Sequence, residues 1–330
     1  MGSKINRGSG MNIVKGFACA AALIAGHAAA QHYPSKPVRV LVGFAAGGPT
    51  DVIARVLAQD LTRVLGQPLI IDNRTGANSR IATETVARAT PDGHTLLFAS
   101  LSHNVNYLLM EKKTYHPLRD FAPISLTAVL PLLLVTRPET PASSVRELIE
   151  MAKARPGAVT YGSAGNGGSA HLAGALLETL TGTKMTHVPF RGNAPALVDV
   201  MSGQVTFMFY PMIGIADHVA VKRLKVLAVG TAKRHPDYPS SPTMAESGFP
   251  GFEETAPWVG MLAPAGTPPA IVDRMSAEIR KSIAKPEVKE RLAVLGAINV
   301  GSLPAEFVEY LKKDAERWAR VIKAAGVKAQ

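Results

Sequence analysis

Two glycine-rich stretches place backbone groups where they could do chemistry: Phe44-Ala45-Ala46-Gly47-Gly48 leading into Pro49-Thr50-Asp51, and Ser163-Ala164-Gly165-Asn166-Gly167-Gly168 leading into Ser169. Each lies between a short apolar run and an amphipathic one, so each reads as a strand-to-helix turn. The first N–H groups of a helix have no internal acceptor and sit at the positive end of its dipole. Such a turn is therefore an anion site. Gly47, Gly48, Gly165, Gly167 and Gly168 put no side chain between an anion and the backbone, while Thr50, Ser163 and Ser169 add hydroxyl donors. One turn of this kind is as readily an ordinary connection. Two of them, roughly 120 residues apart, point to an anion held between two similar units.

Other chemistries fit the residues less well. Gly165-x-Gly167-x-x-Ala170 matches a dinucleotide fingerprint, but no Asp or Glu follows about twenty residues on to hold a ribose. Gly162-Ser163-Ala164-Gly165 is one residue short of a hydrolase elbow. A triad of Ser163, His171 and Asp51 would have to be drawn from two separate units, so no catalytic residue is assigned. None of the nine histidines pairs with another His or with Cys at metal-ligand spacing, and neither a metal nor a cofactor is expected. His171 and His187 read as hydrogen-bonded structural residues. Asp51, in the first turn of a helix, reads as a cap for its own loop before it reads as a ligand contact. Arg80 and Arg191 follow strands and are the cations best placed to reach a crevice, although either also fits a solvated surface position.

The elements that must position these residues follow from periodicity. Val38–Val42 is a short apolar strand, and Val52, Ile53, Val56, Leu57, Leu61, Val64 and Leu65 recur at helical spacing until Gly66. Strands at 69–71 and 95–98 bracket a helix at 80–89. This alternation predicts a parallel sheet covered on both faces. The order repeats after a strand at 131–136 and a helix at 144–154: a strand at 159–161, a helix at 170–180, a strand at 185–190, a helix at 194–201, then strands at 205–209 and 226–229. Residues 232–257 read as irregular. A strand at 258–262 precedes helices at 268–284, 286–295 and 304–325, which have no local strands to cover and are expected to pack back on the first unit.

The N-terminus reads as a secretory signal peptide: Lys4, Arg7 and Lys15, an apolar run from Gly16 to Gly26, then Ala28-Ala29-Ala30. Cleavage is expected after Ala30, and the apolar run is too short to span a bilayer, which needs about twenty residues. Met11 is an alternative start. The single cysteine, Cys19, falls inside this segment in a poor lipoprotein context, which leaves the mature chain without a thiol. The formal charge of +11 becomes +8 when those three basic residues are removed, which suits an anionic ligand or an anionic surface. Scattered basic residues and only 6% aromatics argue against a nucleic-acid groove.

Several motifs fall together in one order: Tyr33-Pro34-Ser35-Lys36-Pro37, Gly47-Gly48-Pro49-Thr50-Asp51, Asp72-Asn73-Arg74, Pro91-Asp92-Gly93-His94-Thr95, Leu118-Arg119-Asp120-Phe121, His187-Val188-Pro189-Phe190-Arg191-Gly192, Gly203-Gln204-Val205 and Leu262-Ala263-Pro264-Ala265-Gly266-Thr267-Pro268. With them the chain resembles, from about residue 33 onward, the Bordetella uptake gene (Bug) family of extracytoplasmic receptors of tripartite tricarboxylate transporters.

The resemblance implies an α/β type II periplasmic-binding-protein fold, two Rossmann-like lobes joined by two crossing strands with the ligand cleft between them. Residues 31–132 and 256–330 would form a discontinuous first lobe and 133–255 the second, with crossings near Leu133 and Trp258. It also implies a periplasmic receptor that captures a small carboxylate and hands it to membrane permease subunits, as a monomer, and that is not an enzyme. A sensor module without a transporter and a secreted hydrolase are the alternatives. The ligand-contact residues carried over are Phe44, Ala46, Gly47, Gly48, Thr50 and Asp51; Ser100; Ser163, Ala164, Gly165, Asn166, Gly167 and Ser169; and Arg191 and Tyr210, with Arg80 and Trp258 as further candidates. Three departures bear on the ligand. Ala45-Ala46 replaces prolines, Gly76-Ala77-Asn78-Ser79-Arg80 replaces a Gly-Ala-Gly-Gly turn, and Tyr210 stands where many members have Asp. Loss of that acid disfavours an amino-acid ligand and favours a purely anionic carboxylate.

Overall fold

The computed structural model describes Gly2 and residues 33–327; the expected export signal, Gly2 apart, lies outside the described residues. The strands in chain order are β1 (Val38–Val42), β2 (Leu69–Asn73), β3 (Thr95–Ser100), β4 (Phe121–Val129), β5 (Leu132–Thr136), β6 (Thr160–Ser163), β7 (Thr186–Pro189), β8 (Phe207–Pro211), β9 (Lys225–Val229), β10 (Trp258–Pro264) and β11 (Ile298–Asn299). They form two sheets, ordered β11-β4-β10-β3-β1-β2 and β7-β6-β8-β5-β9.

The parallel pairing expected from the alternation of strand and helix is present in β1–β3, and the returning strands make each sheet mixed. Pairing is parallel where a strand, a helix and a strand follow one another, as in β1 with β2 and β3 or β6 with β7 and β8. It is antiparallel where the chain returns from the other sheet: β10 against β3 and β4, and β5 against β8 and β9. A returning strand carries no crossover helix, so nothing obliges it to run parallel. Strand β4 was not anticipated. Pro123 interrupts its apolar run, and Ser125 and Thr127 within it are fully buried. Their hydroxyls bond to the carbonyls of Ser302 and Val259 at 2.9 and 2.8 Å. The helix Ser102–Leu109 and the short helix Ala216–Ala220 were likewise not anticipated.

The anticipated helices form for the reasons their spacing suggests. In Pro49–Leu65, Ile53, Leu57 and Leu61 recur on one face and are fully buried. Gly66 closes the helix in a left-handed conformation, its N–H bonded to the Thr62 carbonyl. The helix Pro269–Ala284 packs on β4 and on Pro49–Leu65. The helix Pro304–Ala324 packs on β4 and on Ser102–Leu109, and also reaches Ser169–Thr181 beside the second sheet. Leu172 of that last helix shares an apolar cluster with Leu41, Trp258 and Trp318.

The chain passes between the sheets at Leu130-Pro131 and again at Ala256-Pro257. The two passages are tied together by a 2.8 Å bond from the Leu130 N–H to the Pro257 carbonyl. The loops after β1 and β6 thus face each other across the cleft that these passages floor.

Candidate functional site

The two glycine turns are built to one plan. In the first, Gly48 N–H bonds Ala45 carbonyl, Val52 N–H bonds Gly48 carbonyl, and Gly47 N–H is taken by Asp51 Oδ2 at 2.9 Å. In the second, Gly168 N–H bonds Gly165 carbonyl, Leu172 N–H bonds Gly168 carbonyl, and Gly167 N–H is taken by His171 Nδ1 at 2.9 Å. Asp51 and His171 are therefore equivalent residues, each four places after a glycine whose amide it holds. Gly48 and Gly168 are extended N-caps without a side-chain cap. What remains open for an anion is not the glycine amides singled out from the sequence, since Gly47 and Gly167 are already bonded. It is the first helical turns that follow, at Thr50-Asp51 and Ser169-Ala170-His171.

Both helix starts line one small pocket of about 30 Å³, room for a water or two. Gly48, Pro49 and Thr50 face Gly168 and Ser169 there, with Phe44, Asn78, Ser100, Ser102, Asn193 and Trp258 completing the wall. Beside it lies a cavity of about 370 Å³ that shares Phe44, Asn78 and Ala164 with the smaller one. That is within the usual range for a small-ligand site. Arg80, Arg191 and His171 line it, along with Gly165, Asn166 and Gly167. Among the described residues, no Asp or Glu lines either space. Two helix N-termini and the Arg191 guanidinium, with Arg80 also in the wall although its Nε lies 3.6 Å from Glu84 Oε1, make the cleft attractive to anions.

The candidate residues sort by position. Phe44, Gly48, Thr50, Ser100, Ala164, Ser169 and Trp258 meet at the smaller pocket, and Arg80, Gly165, Asn166, Gly167 and Arg191 at the larger. Ala46 and Gly47 are exposed and line neither. Asp51, Ser163 and Tyr210 lie behind the walls. Asp51 accepts from Gly47, from Arg55 Nε and from Asn73 Nδ2, each at 2.9 Å. Burial pushes its carboxyl upward, but those donors outweigh burial and hold it below the ordinary aspartate value. Tyr210 is buried on β8, and burial pushes its phenol upward. Trp258 contributes only wall, because its indole N–H donates to Asp314 at 2.9 Å.

Ser163 bonds His187 Nε2 at 2.6 Å and the Gly165 amide at 3.1 Å. His171 stacks on His187 with centroids 4.0 Å apart. Burial lowers His171 to about 4; burial and the neighbouring His171 lower His187 to about 3, so both rings are neutral supports of the second loop. Ser163, His171 and Asp51 form no triad: the serine pairs with the other histidine, and Asp51 is held by Arg55.

Asn78 and Asn106, Ser102, Asn193 and Phe190 were not picked out from sequence. Asn78 lies in the Gly76–Arg80 turn, whose departure from Gly-Ala-Gly-Gly is visible in the sequence, beside the charged Arg80.

Two α/β units, joined by two passages and presenting paired helix N-termini to a common cleft, define a two-lobed solute-binding protein. The chain matches the family described as "Tripartite tricarboxylate transporter family receptor" over residues 53–327, and it belongs to that family of periplasmic solute-binding receptors, which are not enzymes. It is 37% identical to Protein BugT of Bordetella pertussis over 317 residues, 96% of this chain and 97% of that one. Among solved structures, Rpa4515 of R. palustris with adipate is 34% identical with a TM-score of 0.86, covering 89% of this chain and 98% of that one. MatC of Rhodopseudomonas palustris with bound malate is 32% identical with a TM-score of 0.84, covering 88% and 100%.

Proposed function

We propose that the protein captures a small di- or tricarboxylate, or an aromatic carboxylate, between lobes formed by residues 31–132 with 256–330 and by 133–255. One carboxylate group would lie between the first turns of Pro49–Leu65 and Ser169–Thr181. The observation that carries this reading is the convergence of two uncapped helix starts on one cleft with no Asp or Glu among the described residues of its walls. Thr50, Ser100, Ser102 and Ser169 supply hydroxyls at the smaller pocket, while Arg80 and Arg191 receive the far end of the ligand in the larger cavity. Adipate and malate in two relatives support the ligand class. Export by the N-terminal signal would place the protein, as a monomer, where a permease of the tripartite type could read the closed form.

A thermal-shift screen against aliphatic and aromatic mono-, di- and tricarboxylates and amino acids tests this. A ligand at a hundred times its Kd should stabilise the protein by about 2.7 kcal/mol. A rise of a few degrees for carboxylates alone is the expected result. A rise with amino acids only, or with no carboxylate at all, would contradict it.

A further inference from the structure

Asn78 stands between the two halves and lines both spaces in the cleft, yet one end of its amide has no partner. It is 9% exposed. Its orientation follows from its neighbours. Asn106 Nδ2 donates to the Asn78 main-chain carbonyl at 2.7 Å, and a carbonyl can only accept, so the other end of the Asn106 amide must be its oxygen. That oxygen lies 3.1 Å from the Asn78 side chain, which must therefore present its NH₂ there. Asn78 Oδ1 is left as a buried acceptor with no donor among the described residues. It lies next to Gly168, the N-cap of the second helix: a Cβ at that glycine would sit 3.7 Å from it.

A buried acceptor without a donor is costly, and the backbone that holds this one is strained as well. Ala77, Asn78 and Ser79 have φ of 45°, 51° and 72°, three consecutive non-glycine residues in the left-handed region. A bare carboxylate oxygen set against Oδ1 would oppose acceptor to acceptor. A ligand carrying a hydrogen-bond donor next to its carboxylate satisfies Oδ1 and removes that opposition. An ammonium is a poor candidate for that donor, because no Asp or Glu among the described residues lines either space.

We infer that Asn78 is a specificity residue that accepts a hydrogen bond from a ligand hydroxyl, so that the receptor selects hydroxycarboxylates over the parent carboxylates. This rests on the carboxylate reading above and narrows it.

The test is calorimetric titration with pairs that differ by one hydroxyl: succinate against each enantiomer of malate, and glutarate against each enantiomer of 2-hydroxyglutarate, with aspartate as the ammonium arm. At least one hydroxylated enantiomer should bind roughly tenfold or more tightly than its parent. Asn78→Gly, which tolerates the positive φ, should erase that preference, bringing the ratio of the two Kd values to within about threefold of one. Asn78→Ala is the second variant should the glycine chain not fold. Equal binding of parent and hydroxylated ligand, or a preference that survives Asn78→Gly, overturns the role of Asn78 and leaves the carboxylate receptor intact. Aspartate binding more tightly than malate overturns the hydroxyl in favour of an ammonium. No binding by any member of the panel overturns the hydroxycarboxylate assignment, while the wider thermal-shift screen decides the carboxylate reading separately.

Discussion

Asp51 shows how a residue that lines no cavity can still control the cleft. Its carboxylate holds the Gly47 amide and Asn73, and Asn73 in turn donates to the Phe44 carbonyl at 2.9 Å. The first loop is thereby pinned at both ends before a ligand arrives. Asp51→Asn removes the charge that draws these donors together, and ligand Kd should rise about tenfold. The pH dependence has a definite sign. The folded carboxyl lies below the ordinary value near 3.9, so its contribution is complete above that value and is lost as pH falls through the lower folded one. Stability to urea measured from about pH 7 to pH 3 should fall at the acid end in the wild type. The acid limb should flatten in Asp51→Asn, and an unchanged limb would show that other groups set it. The sequence announced this role through one carboxylate in the first turn of a helix. For Asn78 it shows an unusual turn but no role, because that role depends on Asn106, 28 residues away.

Individual elements were legible wherever periodicity was undisturbed, and illegible where polar residues are buried by partners distant in sequence. The C-terminal helix Pro304–Ala324 displays both cases. Its extent reads as 304–325 in the sequence, and its apolar face carries Phe307, Leu311 and Trp318, all fully buried. Asp314 on that same face is 2% exposed and reads as an interruption. It is explained by donors from three elements: Asn104 at 2.8 Å, Trp258 Nε1 at 2.9 Å, and Trp318 Nε1 at 3.0 Å, together with Arg317. This one carboxylate rivets the helix to β10 and to Ser102–Leu109. Removing it strands four buried or half-buried donors, and Asp314→Ala should cost about 3–5 kcal/mol in urea denaturation. A loss under about 1 kcal/mol would mean that apolar packing alone seats the helix.

At the scale of the whole molecule, the two-lobed fold was readable from a strand, glycine turn and helix that recur, but the contact between halves was not. It depends on atoms brought together only by the passages at Leu130-Pro131 and Ala256-Pro257. A Cβ on Gly192 would lie 3.1 Å from Ala45 Cβ, and one on Gly167 would lie 2.9 Å from Leu109 Cδ1 and 3.2 Å from Val105 Cγ1. The second loop thus rests directly on Ser102–Leu109 of the first half, and glycine is what permits the approach.

Two substitutions separate this contact from backbone strain. Gly167 and Gly182 both have positive φ, 76° and 63°, but nothing lies within 4 Å of a Cβ on Gly182. Gly182→Ala should lower stability by roughly 1 kcal/mol and leave ligand Kd unchanged. Gly167→Ala carries the same strain and also props the halves apart, so the closed population and the apparent affinity should fall together, the latter about tenfold. Small-angle scattering at a fixed subsaturating ligand concentration should find Gly167→Ala more extended than Gly182→Ala. Equal Kd in the two variants would mean that closure does not depend on this contact, and that the halves meet in solution through other surfaces.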